Sequence, residues 1–266
     1  MSASTIISAE FTLELKDGLK VEGRVTTLQD GAPKPIVILN HGFRGHRDWA
    51  FWPEAAHKLA DSGFYTVSYN FSRLTAIRDG VDERQVANAT TLTQEQNDLS
   101  AVVQAAANKQ LPFNEQSNAE LIGLVGHSRA GGSVLIYASE HTSTVKAVVV
   151  WNGGVGPAPA AAKAEEERSL LDSVLDEDLR NNTSRFNLKD IVPSLTTPVL
   201  FIQGDQDRES LVAQFHSYQQ SAPDHHYVLI AGSDHTINSA EPYEGAAPAF
   251  HEALQHTIDF LRVQLS

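Results

Sequence analysis

Short apolar runs, rich in β-branched and aromatic residues, constrain this chain more than any other feature. They are Ile36 to Leu39, Phe64 to Tyr69, Leu121 to Val125, Val145 to Trp151, Val199 to Ile202 and Tyr227 to Ile230. A strand with one solvated face alternates apolar and polar residues, whereas a strand covered on both faces reads as a continuous run. The runs therefore predict strands of a parallel sheet buried on both faces. Between them lie segments with helical spacing: Pro53 to Ala60, the set Leu92, Leu99, Val102, Val103 and Ala106, then Val134 to Ser139, and finally Phe250, Leu254, Ile258 and Leu261. Strand and helix alternate, and right-handed crossovers turn that alternation into a doubly wound, mostly parallel α/β sheet. Its crevice opens at the carboxyl ends of the strands.

Two stretches depart from this rhythm. Near the start Phe11, Leu13 and Leu15 alternate with polar residues, Lys16-Asp17-Gly18 supplies turn chemistry, and Leu19, Val21, Gly23 and Val25 alternate again, which predicts an N-terminal β-hairpin. From Asn152 to Ser194 no strand is expected. Gly153-Gly154, Pro157-Ala-Pro159 and an Ala/Glu-rich stretch predict a loop followed by helices, in which Leu170, Leu171, Val174, Leu175 and Leu179 form one apolar face. Residues 152–194 thus read as a small helical cap inserted into a core of 1–151 and 195–266, placed to cover the crevice. The other reading of the segment is a surface excursion without fixed structure.

Charge and composition narrow the function. The chain carries 33 acidic and 20 basic residues, a formal net charge of −13, which repels phosphate backbones and anionic lipid, so neither nucleic acid nor membrane is expected as a partner. With no cysteine, thiol nucleophiles, thiolate metal sites and disulfides are excluded. No Lys or Arg precedes Lys16 and no early apolar run has secretory length. No stretch approaches the roughly 18 apolar residues of a membrane helix. A cytoplasmic location is the expectation.

The segment Leu121-Ile-Gly-Leu-Val-Gly-His-Ser-Arg-Ala-Gly-Gly132 runs an apolar strand into Gly126-His127-Ser128-Arg129-Ala130 and then into a helical pattern. Strand, tight turn and helix with serine at the apex is the context of a nucleophile elbow. The turn forces strained dihedrals on Ser128, so the residues two before and two after must be small, as Gly126 and Ala130 are. Free N–H groups at the start of the following helix favour developing negative charge, which makes the Arg129 N–H an oxyanion donor. Taken alone, Gly-x-Ser-x-small equally suits a structural turn, so the rest of the set matters.

Ile36-Val-Ile-Leu-Asn-His-Gly-Phe43 is a second buried strand ending in His-Gly, where the Phe43 N–H is the expected second oxyanion donor. Pro198-Val-Leu-Phe-Ile-Gln-Gly-Asp-Gln-Asp207 places two carboxylates just past a strand end. Asp207 is preferred to Asp205 as the partner that orients a catalytic histidine, because the loop needs a few residues to turn back toward the serine. The other carboxylate then serves a turn or a helix cap. Tyr227-Val-Leu-Ile-Ala-Gly-Ser-Asp-His235 supplies the histidine. The order serine, acid, histidine is that of the elbow-type hydrolases.

In these segments, NHGFRGHRDW, GFYTVSYNFS, GLVGHSRAGG, LFIQGDQD and AGSDH, nearly the whole chain resembles the α/β-hydrolase superfamily. The resemblance is to the branch of dienelactone-hydrolase-like, serine aminopeptidase-like and feruloyl-type esterase proteins. It implies Ser128 as nucleophile, Asp207 as acid, His235 as base, and Phe43 and Arg129 as the oxyanion hole. The implied activity is hydrolysis of a small-molecule carboxylic ester without cofactor, with peptidase or thioesterase chemistry, or ligand binding with little turnover, as alternatives. Ser128 in place of aspartate excludes dehalogenases and epoxide hydrolases. Two departures are Ala130, where a glycine is usual, and Arg208-Glu-Ser-Leu211 after the acid, where relatives often have Val-Pro.

Other features fit no site. The histidines at 41 and 46 and at 225 and 226 lack neighbouring carboxylates at ligand spacing, so no metal is expected. The glycines around Ser128 do not form a dinucleotide-binding frame. Glu165-Glu-Glu167 and Asp176-Glu-Asp178 read as solvated helix faces. Arg44, Arg47, Arg73 and Arg129 are expected in loops or turns near the crevice, either gripping a substrate carboxylate or paired with acidic neighbours such as Asp48 and Asp79.

Overall fold

The computed structural model describes residues 5–156 and 168–266. Pro157-Ala-Pro159, the Ala/Glu-rich stretch and Glu165-Glu-Glu167 lie outside the described residues. The sheet comprises β1 (Thr5–Glu14), β2 (Lys20–Gln29), β3 (Lys34–Asn40), β4 (Tyr65–Asn70), β5 (Ser117–His127), β6 (Val145–Trp151), β7 (Val199–Gly204) and β8 (His226–Ile230). Their order is β1-β2-β4-β3-β5-β6-β7-β8. The hairpin pair and the β2–β4 contact are antiparallel, and every later pair is parallel. This is the α/β-hydrolase arrangement the sequence predicts.

Strand periodicity assigns each apolar side chain to a layer. Ile36 and Ile38 of β3 and Val148 and Val150 of β6 face one core, with Leu99 and Val102 of α4 (Leu92–Ala107), Val134 of α5 (Arg129–Glu140) and Phe215 of α8 (Glu209–Ser221). Val37, Leu39, Val149 and Trp151 point to the opposite core, under α1 (Trp52–Asp61) and α9 (Pro248–Gln264). Because both faces are covered, the strand runs need no polar alternation. Trp52 and Trp151 stack at 5.6 Å in the second layer.

The sequence expectation fails at three places. The Tyr227–Ile230 run is not buried on both faces: β8 is the sheet edge, and Leu229 is exposed. Helices α2 (Ser72–Arg78) and α3 (Glu83–Ala89) stand between β4 and α4, in a stretch too poor in apolar residues to show a helical period, so Arg73 lies in a first helical turn rather than in a loop. The Asp176-Glu-Asp178 segment is not a solvated face. Asp176 is buried against Arg168, and Asp178 turns inward to accept the Leu92 and Thr93 N–H groups at 3.0 and 3.2 Å. A carboxylate at that end satisfies donors that have no intrahelical partner in α4.

Asp178 belongs to α6 (Leu170–Asn181), which opens with a Ser169–Asp172 capping box. This helix packs on α3 and α4, whereas α7 (Leu188–Ser194) packs on α5 and α8 and sends Leu188 and Val192 into the first core layer.

Candidate active site

Ser128 sits between the end of β5 and the start of α5 at φ 56° and ψ −123°. Such a conformation costs a non-glycine residue about 1–3 kcal/mol and persists only where the surroundings over-determine it. Here they do. The Ser128 N–H donates to the Trp151 carbonyl of β6 at 2.9 Å. A Cβ on Gly126 would lie 2.4 Å from the Ala130 oxygen, and one on Gly153 would lie 2.3 Å from the Ser128 oxygen. Only glycine lets these strands and the turn approach so closely.

Two loops bring partners to the serine. The loops after β7 and β8 are joined by Asp205 N–H to the Ile230 carbonyl (3.1 Å) and Gln206 N–H to the Ser233 carbonyl (2.9 Å). His235 Nδ1 lies 2.8 Å from Asp207 Oδ2, and its Nε2 lies 2.9 Å from Ser128 Oγ. A carboxylate only accepts, so Nδ1 carries the proton and Nε2 is left to accept from the hydroxyl. Burial alone would raise the Asp207 carboxyl. Hydrogen bonds from His235, the Arg208 N–H and Gln203 outweigh it and hold Asp207 below the usual carboxylate value. Asp205 instead accepts the Gly232 N–H at 2.7 Å, a turn contact.

Phe43, Ser128 and Arg129 border one pocket, with the Arg129 guanidinium 4.8 Å from the centre of the Phe43 ring. Gly42 passes so close that a Cβ there would stand 3.2 Å from Ser128 Cβ. The Phe43 N–H has no protein acceptor among the described residues, and the Arg129 N–H belongs to the first turn of α5, where intrahelical acceptors are missing. His41, buried beneath this loop, accepts the Phe71 N–H at Nε2 (3.3 Å) and so donates from Nδ1 to the Gly42 carbonyl (2.8 Å). Burial, with Arg73 beside it, pushes His41 down to about 3, so it stays neutral.

The pocket, about 360 Å³, runs from Ser128 along α5 to α6. Leu92, Ile136, Leu175, Leu179 and Leu211 supply its apolar wall. Leu171, on the same predicted face of α6, is not among its lining residues.

The profile of the dienelactone hydrolase family matches residues 21–265. The chain belongs to the dienelactone hydrolase family. No curated protein matches it in sequence. Among solved structures it is similar to Est1E from Butyrivibrio proteoclasticus, with 19% identity, a TM-score of 0.71 and coverage of 96% of this chain and 98% of that one. A further structure of Est1E holds ferulic acid. It is also similar to a dienelactone hydrolase from Anabaena variabilis (18% identity, TM-score 0.62, 97% and 99% covered). A dienelactone hydrolase-like promiscuous phosphotriesterase from metagenomic libraries is a third such structure (13%, 0.62, 98% and 99%). At these identities the likeness establishes the fold, and the family makes the chain a hydrolase.

Around the serine this family member uses residues that sequence reasoning passed over. Asn152, directly after β6, donates from Nδ2 to the carbonyls of Asp234 (2.9 Å) and His235 (3.1 Å) and accepts the Gly204 N–H (2.7 Å), which ties β6, β7 and the histidine loop together. A buried asparagine at a strand end is the signal that would have found it. Glu95 on α4, 1% exposed, takes Arg73 at 2.8 Å and Arg129 at 3.0 Å and accepts the Ser133 hydroxyl at 2.8 Å. The side chains of Arg73 and Arg129 are thus paired inside the fold, and Arg47 pairs with Glu10 and Asp48. No group of residues that could hold a metal ion occurs among the described residues, and none of the described helices is long and apolar enough to cross a membrane.

Proposed function

We propose that this chain is a serine esterase, cleaving carboxylic esters of small substrates through an acyl-enzyme, with Ser128 as nucleophile, His235 as base and Asp207 as the acid that orients it. The observation that carries the reading is the unbroken chain from Ser128 Oγ to His235 Nε2 and from His235 Nδ1 to Asp207. As Oγ attacks the carbonyl carbon, its proton passes to Nε2 and the carbonyl electron pair moves onto oxygen. Asp207 stabilises the imidazolium without taking its proton. The N–H groups of Phe43 and Arg129 receive the oxyanion, a contribution worth about 10²–10³ in rate per donor. Collapse restores the carbonyl and breaks the bond to the alcohol, which leaves with the proton from Nε2. Water then repeats both steps on the acyl-enzyme.

The leaving oxygen must meet His235, whereas the apolar pocket is walled by α5, α6 and the start of α8. The acyl group therefore fits the pocket and the alcohol the open side. In the same reading residues 152–194 act as a cap, with α6 as the part that touches the acyl group.

The test is turnover of a short p-nitrophenyl ester by the wild type and by Ser128→Ala. A loss of about 10⁶ with an unchanged melting temperature is expected, by analogy with removal of the nucleophile in subtilisin. More than a tenth of wild-type activity in the purified variant removes Ser128 from the role. Wild-type protein that binds esters without turning them over supports a ligand-binding protein of the same fold.

A further inference from the structure

We propose that Arg73, held by the buried Glu95, is a positioning residue that sets the direction and strength of the Phe43 N–H toward the oxyanion. This rests on the serine esterase reading above. Gly42 C=O and Phe43 N–H are the two ends of one planar peptide, so whatever grips the oxygen also aims the hydrogen. Arg73, 3% exposed, donates from one guanidinium nitrogen to the Gly42 carbonyl at 3.1 Å and to the Phe43 carbonyl at 3.0 Å. The other terminal nitrogen is fixed on Glu95. A cation on a peptide oxygen draws electron density from the nitrogen and makes the N–H a stronger donor, an effect that low local dielectric enlarges. Glu95 also holds the Arg129 side chain, so one buried carboxylate braces the residues that carry both donor N–H groups.

The arrangement has a cost that structure alone does not require. The Gly42 oxygen already accepts from His41 Nδ1 (2.8 Å) and from the Gly45 N–H (3.1 Å), so the loop retains two anchors without any arginine. Burying an ion pair under a loop so anchored is a weak route to stability, because the desolvation of both charges offsets much of their attraction. Its distinctive consequence is electrostatic and is directed at the peptide beside Ser128.

The experiment compares the wild type with Arg73→Met and Arg73→Lys. Three quantities are read for each: kcat and KM for p-nitrophenyl acetate, and the inhibition constant of phenylboronic acid, whose serine adduct is tetrahedral and anionic. Wild-type turnover that disappears in Ser128→Ala is read first. Its absence ends the esterase reading, and the role of Arg73 falls with it. Given turnover, Arg73→Met should lower kcat by about 10²-fold, near the loss of one oxyanion donor, with KM changed less than threefold and boronate binding weakened in parallel with kcat. Arg73→Lys keeps the charge opposite Glu95, and so the fold, but its single nitrogen replaces two that the guanidinium holds apart, so it cannot keep the separate contacts to the carboxylate and to the two carbonyls. It should lose about tenfold in kcat. A kcat within threefold of wild type in either folded variant overturns the proposal while leaving the esterase reading intact. A fall in kcat without weaker boronate binding overturns it equally. If Arg73→Met does not fold, Arg73→Lys alone decides.

Discussion

His127 holds His235 by its backbone: the imidazole Nε2–H donates to the His235 carbonyl at 2.8 Å across the top of the sheet. The residue that precedes the serine therefore helps to locate the histidine that faces it. Burial, with His235 nearby, pushes His127 down to about 4, so the ring is neutral and keeps this bond at neutral pH. Trp49 and Phe51 pack around the same ring, Trp49 nearly parallel to it and Phe51 edge-on.

His127→Phe keeps the packing and removes the donor. Asn152 still reaches the His235 carbonyl, so the loop should stay folded. The loss of one buried hydrogen bond, about 1–2 kcal/mol if it is felt at the transition state, corresponds to a fall of about 5- to 30-fold in kcat. Steady-state kinetics on one ester checks it; a kcat equal to wild type would show that Asn152 positions the histidine alone.

The two carboxylates after β7 separate cleanly by mutation. Asp207→Asn should lower kcat by about 10⁴, since the amide favours the wrong imidazole tautomer. Asp205→Asn weakens only the contacts to the Gly232 N–H and the Gln206 amide, neither of which reaches His235, and should cost less than tenfold. A larger loss at Asp205 would mean that the acid had been misassigned.

Leu175 and Leu179 border the pocket, so Leu175→Ala and Leu179→Trp should shift the ratio of long- to short-chain ester hydrolysis in opposite directions, by about tenfold each for a change of ~1–3 kcal/mol in acyl burial. Leu171→Trp, placed on the same helix but outside the lining, should leave the ratio unchanged. Melting temperatures that fall while the ratio stays constant would make α6 ordinary packing.

Stability should decline with acid in a defined window. His41 and His127 have folded-state values of about 3 and about 4, below the roughly 6.5 of an unfolded histidine, so the unfolded chain takes up their protons first. Their contribution is complete above about pH 6.5 and is lost as pH falls through that window. Asp98 acts oppositely: burial pushes it up to about 6, so between pH 6 and 4 the folded state takes up its proton first. His225, also lowered by burial, adds to His41 and His127, so the histidines outweigh the one carboxyl and stability should fall as pH drops from 6 to 4. Urea titrations at pH 7, 6, 5 and 4 measure it, and equal stability at pH 6 and 4 would contradict the burial of both imidazoles.

What the sequence by itself determined is local. The hairpin strands follow from alternation and the other sheet strands from continuous apolar runs, of which only the edge strand β8 departs from expectation, because a run does not say whether a neighbour will cover its second face. The elbow was legible because its constraint is steric and confined to Gly126, Ser128 and Ala130. Phe43, Asp207 and His235 were legible as strand-end residues in a fold that gathers strand ends into one crevice. Tertiary structure alone decided the rest. It put His235 against Ser128 across 107 positions, and the pairing of two loops brings the imidazole within 2.8 Å of Asp207, the carboxylate the sequence favours. It turned Asp178 from an acidic helix face into the cap of another helix, and it placed Glu95 between two arginines. Charged side chains in a helix show the same polar pattern whether they meet water or a buried partner, and only the packing of α4 against α2, α5 and α6 supplies those partners.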